Sequence, residues 1–295
     1  MHPRLIAIIG PTASGKSALG IRLARRFQGE IVSADARQVY RGLDLGSGKV
    51  AKAEQRTIPH HLLDVENPRQ VYTVAHFIRD AKRAVREIVR RGHLPIIVGG
   101  TGFWLDALLR GQSLPVVPPN PILRRRLAKF SASQLYTKLK RLDPRRAKAI
   151  DRHNPVRLIR ALEIVLTTKK PVPVLRRRSP YEVLWLGLRP PPLTLRRNIR
   201  RRLHKRLRAG LIAEVRRLLQ RGVPAQRLLD LGLEYRYVTL HLQKKLTKAE
   251  MLEQLERAIR QYAKRQMTWL KKNPDIHWLP KPTAATKLIR PWLTN

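Results

Sequence analysis

Apolar residues fall along this chain in two rhythms, and the alternation between them predicts its architecture. Leu5 to Ile9 is an unbroken apolar run that stops at Gly10, the pattern of a strand buried on both faces of a sheet. Ser17 to Phe27 follows with apolar positions at helical spacing, and Glu30 to Ser33 reads as a second short strand. From Val74 the positions Val74, Phe77, Ile78, Ala81, Val85, Ile88 and Val89 form a helical stripe that stops near Gly92. Leu94 to Val98 is a third buried strand, closed by Gly99-Gly100-Thr101-Gly102. Strand, helix and strand in alternation predict a doubly wound parallel α/β sheet with its ligand at the carboxyl ends of the strands.

The rhythm changes after Gly111. Residues 112–120 are rich in proline, and Pro121 to about Arg178 is helical in pattern and basic, with no strand signal before Val183 to Leu188. This predicts a core made of residues 1–111 and 181–295, interrupted by a helical insertion over 112–180. Beyond Pro190-Pro191-Pro192 the chain is helical to its last long stripe, Leu252, Leu255, Ile259, Ala263, Met267 and Leu270, with Pro274 as the stop.

Charge narrows the partners. Lys and Arg number 62 against 20 for Asp and Glu, a net charge of +42, far beyond what solubility requires. Such a field attracts polyanions, and nucleic acid is the first partner it suggests, unless Arg is favoured throughout the organism's proteins. The absence of cysteine excludes disulfides, Cys-ligated zinc and a thiol nucleophile, and fits a reducing cytoplasm. No stretch approaches the roughly 20 apolar residues of a membrane span. The start runs directly into an apolar strand without a signal-peptide core. A cytoplasmic monomer with no membrane partner is the expectation.

Chemistry concentrates at Gly10-Pro11-Thr12-Ala13-Ser14-Gly15-Lys16-Ser17, a full G-x-x-x-x-G-K-[ST] match between a strand and a helix. In that setting Gly10, Thr12, Ala13, Ser14 and Gly15 turn backbone N–H groups toward phosphate oxygens, Lys16 neutralises charge, and the Ser17 hydroxyl can hold Mg²⁺. The expected fold is therefore a P-loop NTPase-like doubly wound parallel sheet with a helical insertion, and the ligand carries a di- or triphosphate. Asp35, at the carboxyl edge after the second strand, is a candidate base; a carboxylate holding Mg²⁺ through water, or a helix N-cap, accounts for it equally well. Asp64 is read as structural, and His60-His61 as packing or a phosphate contact. From Arg196 to Arg208 a cationic helix face surrounds Leu195, Ile199, Leu203 and Leu207, and one arginine reaching the loop would stabilise a diphosphate leaving group.

With these residues in view, the chain resembles the tRNA dimethylallyltransferases, also called tRNA isopentenyltransferases, over nearly its whole length. The matching pieces are the P-loop, Asp35 to Gly42, Pro59 to Asp64, Val98 to Gly102, Asn154-Pro155 with Arg157 and Arg160 to Glu163, Gly210 to Val215, and Gln261 to Gln266 with Thr268-Trp269. The resemblance implies transfer of a dimethylallyl group from its diphosphate to N6 of an adenine beside the tRNA anticodon. The P-loop would then hold the departing diphosphate, with Mg²⁺ as cofactor and the anticodon stem-loop as partner. By the same resemblance Asp35 is the base, Thr101 lies near the adenine and Arg202 is the diphosphate arginine. Asp35, Ala36, Arg37, Gln38 and Thr101, with Arg124, Arg157 and Arg160 of the insertion, would contact tRNA. Ala36 stands where serine is usual, Asn198 where arginine is common, Ile259 in place of a threonine, and Gly46 to Val50 is a loose version of the family segment. The lack of a Cys-His zinc finger after the core resembles the bacterial type. The alternatives are an isopentenyltransferase acting on free adenylate, a small-molecule P-loop kinase, and a non-catalytic RNA-binding protein.

Overall fold

The computed structural model describes residues 2–112, 114–115, 117–174 and 178–294. Two compact units result: Met1–Gly111 with Ser179–Asn295, and Gln112–Arg178. The second boundary falls slightly earlier in the chain than the sequence reading placed it.

The larger unit is organised on six parallel strands: β1 (Arg4–Ile9), β2 (Gly29–Ala34), β3 (His60–His61), β4 (Leu94–Gly99), β5 (Glu182–Leu188) and β6 (Ile276–Leu279). Their order is β3-β2-β4-β1-β5-β6. Along β1, Leu5, Ala7 and Ile9 enter one apolar layer while Ile6 and Ile8 enter the other. Burial on both faces is why this strand is a continuous apolar run and not an alternating one. One layer is covered by helix Val74–Arg90, which buries Phe77, Ala81, Val85 and Ile88. The other is covered by helix Lys16–Arg26 and the C-terminal helix Ala285–Thr294. Val89, read as part of the buried stripe, is 41% exposed, because the stripe drifts off the sheet in the last turn.

Two strands lay outside the sequence reading. β3 is only two residues long, pairing His60 with Ile31 and His61 with Val32, too short for any periodicity. β6 lies beyond Pro274, where the reading ended, and pairs with β5 through Trp185 to Leu188. Both are edge strands.

The strand order positions the ligand site. From β1 the chain crosses to β2 and steps over β4; from β4 it crosses to β5 and steps over β1. The winding therefore reverses between the adjacent strands β1 and β4, whose ends Ile9 and Gly99 are register partners. At such a switch point the connections leave in opposite directions and open a crevice beyond the strand ends. The P-loop leaves β1 there, and the Gly100-Thr101 turn leaves β4 into helix Gly102–Leu109. Asp35 follows β2, the next neighbour. This architecture is P-loop NTPase-like.

The smaller unit contains helices Pro121–Leu127, Ala132–Leu142, Pro144–Ala149 and Pro155–Thr168 around Leu127, Leu135, Leu139, Leu158 and Leu162. Its helix starts are written into the sequence. Asn120, Asp143 and Asn154 each precede a proline at the first helical turn, and each side chain accepts from a backbone N–H three residues on. Among the described residues no helix is long and apolar enough to cross a membrane.

Candidate active site

The crevice at the switch point opens into a solvent-open cleft of about 800 Å³, lined by the P-loop and by residues at the ends of β2 and β4, among others. Its floor is the P-loop. Gly10 has φ 154°, and a Cβ there would lie 2.7 Å from the Leu188 carbonyl and 2.8 Å from Ser14 Oγ. Gly15, at φ 93°, caps helix Lys16–Arg26 in a conformation that side chains resist. Thr12, Lys16 and Ser17 face the cleft. Lys16 Nζ donates to the Pro11 carbonyl at 2.7 Å. Ser14 Oγ is buried and has no hydrogen-bond partner among the described residues.

Asp35 and Arg202 line the same cleft. One Asp35 oxygen accepts from the Arg37 backbone N–H at 2.9 Å, which fixes the carboxylate, while its second oxygen has no such bond among the described residues. Thr101 reaches across from the end of β4, where its hydroxyl accepts from the Ala36 N–H at 3.4 Å. Gln38 is held on both sides: its Oε1 accepts from Ser33 Oγ at 2.8 Å and its Nε2 donates to the Gly48 carbonyl at 3.2 Å.

Four cations crowd this space, Lys16, Arg37, Arg202 and Arg206, against the two carboxylates of Asp35 and Glu234. Arg37 donates to Glu234 at 3.0 Å, and its guanidinium lies 5.6 Å from the Tyr262 ring centre. Arg206 donates to the other Glu234 oxygen at 2.7 Å and to the Gly46 carbonyl at 3.2 Å. Burial would raise the Glu234 carboxyl, but Arg206, Arg37 and Arg202 together hold it below its ordinary value. Burial and then Arg206 bring Arg202 down to about 10. Lys16 falls to about 7, through burial first and Arg202 second, with Asp35 opposing. Uncompensated positive charge in a dehydrated cleft is what a polyanionic ligand requires.

Sequence reasoning gave no role to the residues that lock this arrangement, although Gln266 and Glu214 lie in segments that match the family. Gln266 ties the P-loop to the neighbouring strand end: its Oε1 accepts from the Thr12 N–H at 2.8 Å and its Nε2 donates to the Gly100 carbonyl at 2.9 Å. A signal was present, since Gln266 is a polar residue on the buried face that carries Ile259, Ala263 and Leu270. Glu214 is buried and accepts from three successive N–H groups, of Asp44 at 3.2 Å, Leu45 at 2.7 Å and Gly46 at 3.0 Å. Tyr235 donates to Glu214 at 3.0 Å and accepts from the Ser47 N–H at 3.0 Å, so the cleft wall at Gly46 to Gly48 is fixed.

The departures noted in the sequence also fall here. Asn198 Nδ2 donates to the Ala13 carbonyl at 3.4 Å, and Ile259 lines the cleft. Asp64 is engaged by Lys49 and by Lys52, the latter at 3.2 Å, and His61 contacts Glu30 at 2.6 Å. His60 lines the cleft, with Nδ1 2.7 Å from the Ile58 carbonyl. Arg124, Arg157 and Arg160 belong to the smaller unit. Arg124 and Arg160 there grip the fully buried Glu163 at 2.7 Å and 2.5 Å, while Arg157 is exposed. Among the described residues no group of three or more His, Asp or Glu side chains could hold a metal. Ser17 and Asp35 are the oxygen donors that fit Mg²⁺, an ion that takes one or two protein ligands and draws the rest from phosphate and water.

A P-loop crevice with a fixed carboxylate and an excess of cations defines a phosphate-binding transferase. The IPP transferase family model matches residues 38–273, and the chain belongs to that family. It is 42% identical over 280 residues to a tRNA dimethylallyltransferase of Thermomicrobium roseum, covering 93% of this chain and 85% of that one. A tRNA dimethylallyltransferase of Roseiflexus is 40% identical, covering 98% of both chains. Among solved structures, the full-length tRNA isopentenylpyrophosphate transferase of Bacillus halodurans superposes with a TM-score of 0.70 at 35% identity, covering 94% of this chain and 89% of that one. A eukaryotic dimethylallyltransferase acting on tRNA gives a TM-score of 0.77 at 26% identity, covering 94% and 73%.

Proposed function

We propose that this transferase moves a dimethylallyl group from dimethylallyl diphosphate to N6 of the adenine beside the anticodon of a tRNA. The observation that carries the reading is the convergence of the P-loop and Asp35 on one cleft, with Thr101 bonded to Ala36 beside Asp35, from the ends of three neighbouring strands, in a chain 42% identical to a tRNA dimethylallyltransferase.

The diphosphate is received by the P-loop N–H groups, Lys16 and Arg202, with Ser14 Oγ available to donate to it. Ser17 would hold Mg²⁺, which would supply further positive charge to the phosphate oxygens. As the prenyl C1–O bond breaks, its electron pair goes to the diphosphate, and Lys16 and Arg202 stabilise the growing charge. The N6 lone pair forms the new bond to C1, and the N6 proton passes to the free oxygen of Asp35. Thr101 and Gln38 hold the adenine side of the cleft. Arg37 acts chiefly through Glu234 and Tyr262. The protein works in the cytoplasm as a monomer.

Incubation with tRNA, dimethylallyl diphosphate and Mg²⁺, followed by nuclease digestion and mass analysis, should reveal an adenosine carrying one added C5H8 unit. Modification of free AMP in preference to tRNA, or turnover that requires ATP, would replace this reading with the adenylate-transfer or kinase alternative.

A further inference from the structure

A second concavity, separate from the cleft, lies on the larger unit between the loop after β3 and the helix Leu211–Gln220. It encloses about 660 Å³ open to solvent and is walled by Arg41, Asn67, Arg69 and Arg221 over an apolar base that includes Leu218 and Val223. What distinguishes it from the general basicity of the surface is how its guanidinium groups are held. Arg41 donates through Nε to the Asp64 carbonyl at 3.0 Å and through Nη2 to the Val65 carbonyl at 3.2 Å. Arg69 donates to the carbonyl of Arg221. Beneath them Arg227 donates to the carbonyls of Pro68 at 3.0 Å and Gln70 at 2.8 Å, and to Tyr40 Oη at 2.7 Å.

Main-chain carbonyls fix Arg41, Arg69 and Arg227 in place without cancelling their charge, while Arg221 is exposed beside them. Among the described residues none of Arg41, Arg69, Arg221 and Arg227 forms an ion pair with a carboxylate. The nearest acidic side chains on the segment are occupied elsewhere: Asp64 by Lys49 and Lys52, and Glu66 by the Asn67 N–H at 2.8 Å. A fixed planar fork loses little rotamer entropy on meeting a phosphate, so the groove is preorganised for phosphodiester oxygens. It also adjoins the reaction site. The loop from Asp35 to Lys49 borders the cleft with Asp35, Gln38 and Gly48 and borders the groove with Arg41 and Gly42. A strand whose base enters the cleft would run its backbone past the groove, which favours RNA over a free phosphate ion.

We propose that the groove of Arg41, Arg69 and Arg221 is a second RNA-binding site, which holds the phosphate backbone of the substrate RNA beside the reacting adenine. This rests on the RNA-modifying reading above. The test measures tRNA affinity against salt for the wild-type protein, for R41Q/R69Q/R221Q, and for the charge-matched control K281Q/K287Q/R290Q on exposed positions near the C-terminus. The groove variant should bind tRNA at least tenfold more weakly at moderate salt, with a log–log salt slope shallower by about two, since each phosphate contact contributes a little under one. The control should shift affinity by less than threefold. Because Arg41 and Arg69 also brace the main chain, R221Q alone is measured too: its side chain makes no hydrogen bond among the described residues, and it should lower the slope by somewhat under one. In prenyl transfer the groove variant should raise the KM for tRNA and leave that for dimethylallyl diphosphate unchanged.

Equal weakening by groove and control variants, or an unchanged slope in both groove variants, would overturn the proposal. So would protection of these arginines from a guanidinium-modifying reagent by millimolar inorganic phosphate but not by tRNA. If the wild-type protein neither binds nor modifies tRNA, it is the functional reading that fails, and the two failures are distinct.

Discussion

Two sets of arginines in this molecule face opposite electrostatic circumstances. In the smaller unit Arg124 and Arg160 close on Glu163, a carboxylate with no exposure, and their charge is spent on holding helices Pro121–Leu127 and Pro155–Thr168 together. In the cleft Arg37 and Arg206 share Glu234 in ion pairs, while among the described residues Lys16 and Arg202 form none. Both sets hold two cations per carboxylate, but in the first every cation is ion-paired, and in that sense balanced, while in the second Lys16 and Arg202 are not. The difference separates arginines that maintain the fold from arginines that await a ligand, although residue type and local sequence are alike in both.

The sharpest way to test the unbalanced set is to remove its central cation. Lys16→Ala should lower kcat/KM for prenyl transfer by about 10³-fold, at least as much as loss of one preorganised donor in a site of developing charge. The thermal unfolding temperature should hold, because burying this amine is itself unfavourable. A variant that turns over within tenfold of wild type would remove the P-loop from the reaction.

Asp35→Asn comes next and tests the carboxylate instead of the cations. It keeps the acceptor for the Arg37 N–H but removes basicity, so kcat should fall by about 10² to 10⁴ while the affinities for tRNA and diphosphate change little. Should excess Mg²⁺ restore the normal maximal rate, Asp35 would be a metal-holding group and not the base.

The balanced set makes its own prediction, smaller and of a different kind. Glu163→Gln leaves two guanidinium groups facing one amide and should destabilise the smaller unit by about 2–3 kcal/mol, at the low end for a broken buried pair because both arginines keep water contact. Burial would raise Glu163, but Arg124, the Asn120 N–H and Arg160 bring it down to about 2. An acid depressed by folding stabilises the fold above its unfolded value near 4.5, so that support should fade as pH falls from there toward 2. Hydrogen exchange of the insertion amides at pH 6 and pH 3 reads both effects. If the Gln variant exchanges like wild type, this arginine pair is not structural. For the same reason, replacing Arg124 and Arg160 to probe tRNA contacts would disturb the unit itself, and Arg157 is the cleaner choice.

Why the two sets could not be told apart earlier is visible in particular residues. The P-loop, the strands ending at Ile9, Ala34 and Gly99, and the helix starts at Asn120 and Asn154 are local patterns, each contained in a few consecutive residues. Asp35 was legible because it follows a strand, whereas Thr101 was given a role only by the family resemblance. Glu234 and Gln266 were not, since their partners lie at Arg37 and Arg206, or at Thr12 and Gly100, and no local rhythm encodes a pairing across such distances. Glu163 was read only as part of a matching segment, because nothing short of the packed helices shows that it is buried. The two-residue β3 offered no periodicity at all.

The smallest expected effect concerns the protonation of the unbalanced set. Burial and then Arg202, opposed by Asp35, bring Lys16 down to about 7, from 10.5 in water. Below pH 7 the ammonium is already charged, and the donor meets a complete cation. Above pH 7 the empty cleft holds a neutral amine, and a diphosphate, by restoring a strong opposite charge, raises its pKa and draws a proton from solution. Diphosphate binding should therefore take up close to one proton at pH 8.5 and almost none at pH 6 through Lys16, and affinity should fall by up to tenfold per pH unit above about 7. Calorimetric titration with diphosphate in two buffers of different ionisation enthalpy measures the uptake directly, and Lys16→Arg, charged throughout this range, removes it. The sign also bears on stability: an amine whose pKa is lowered by folding costs the fold most below about pH 7, where the folded chain must carry the buried charge, and this penalty is relieved as pH rises from about 7 toward 10.5. Proton uptake at pH 8.5 that is absent in the wild type, or unchanged in Lys16→Arg, would show that Lys16 is not the group responding to the ligand. The shortage of anions in the cleft would then rest on Arg202 alone.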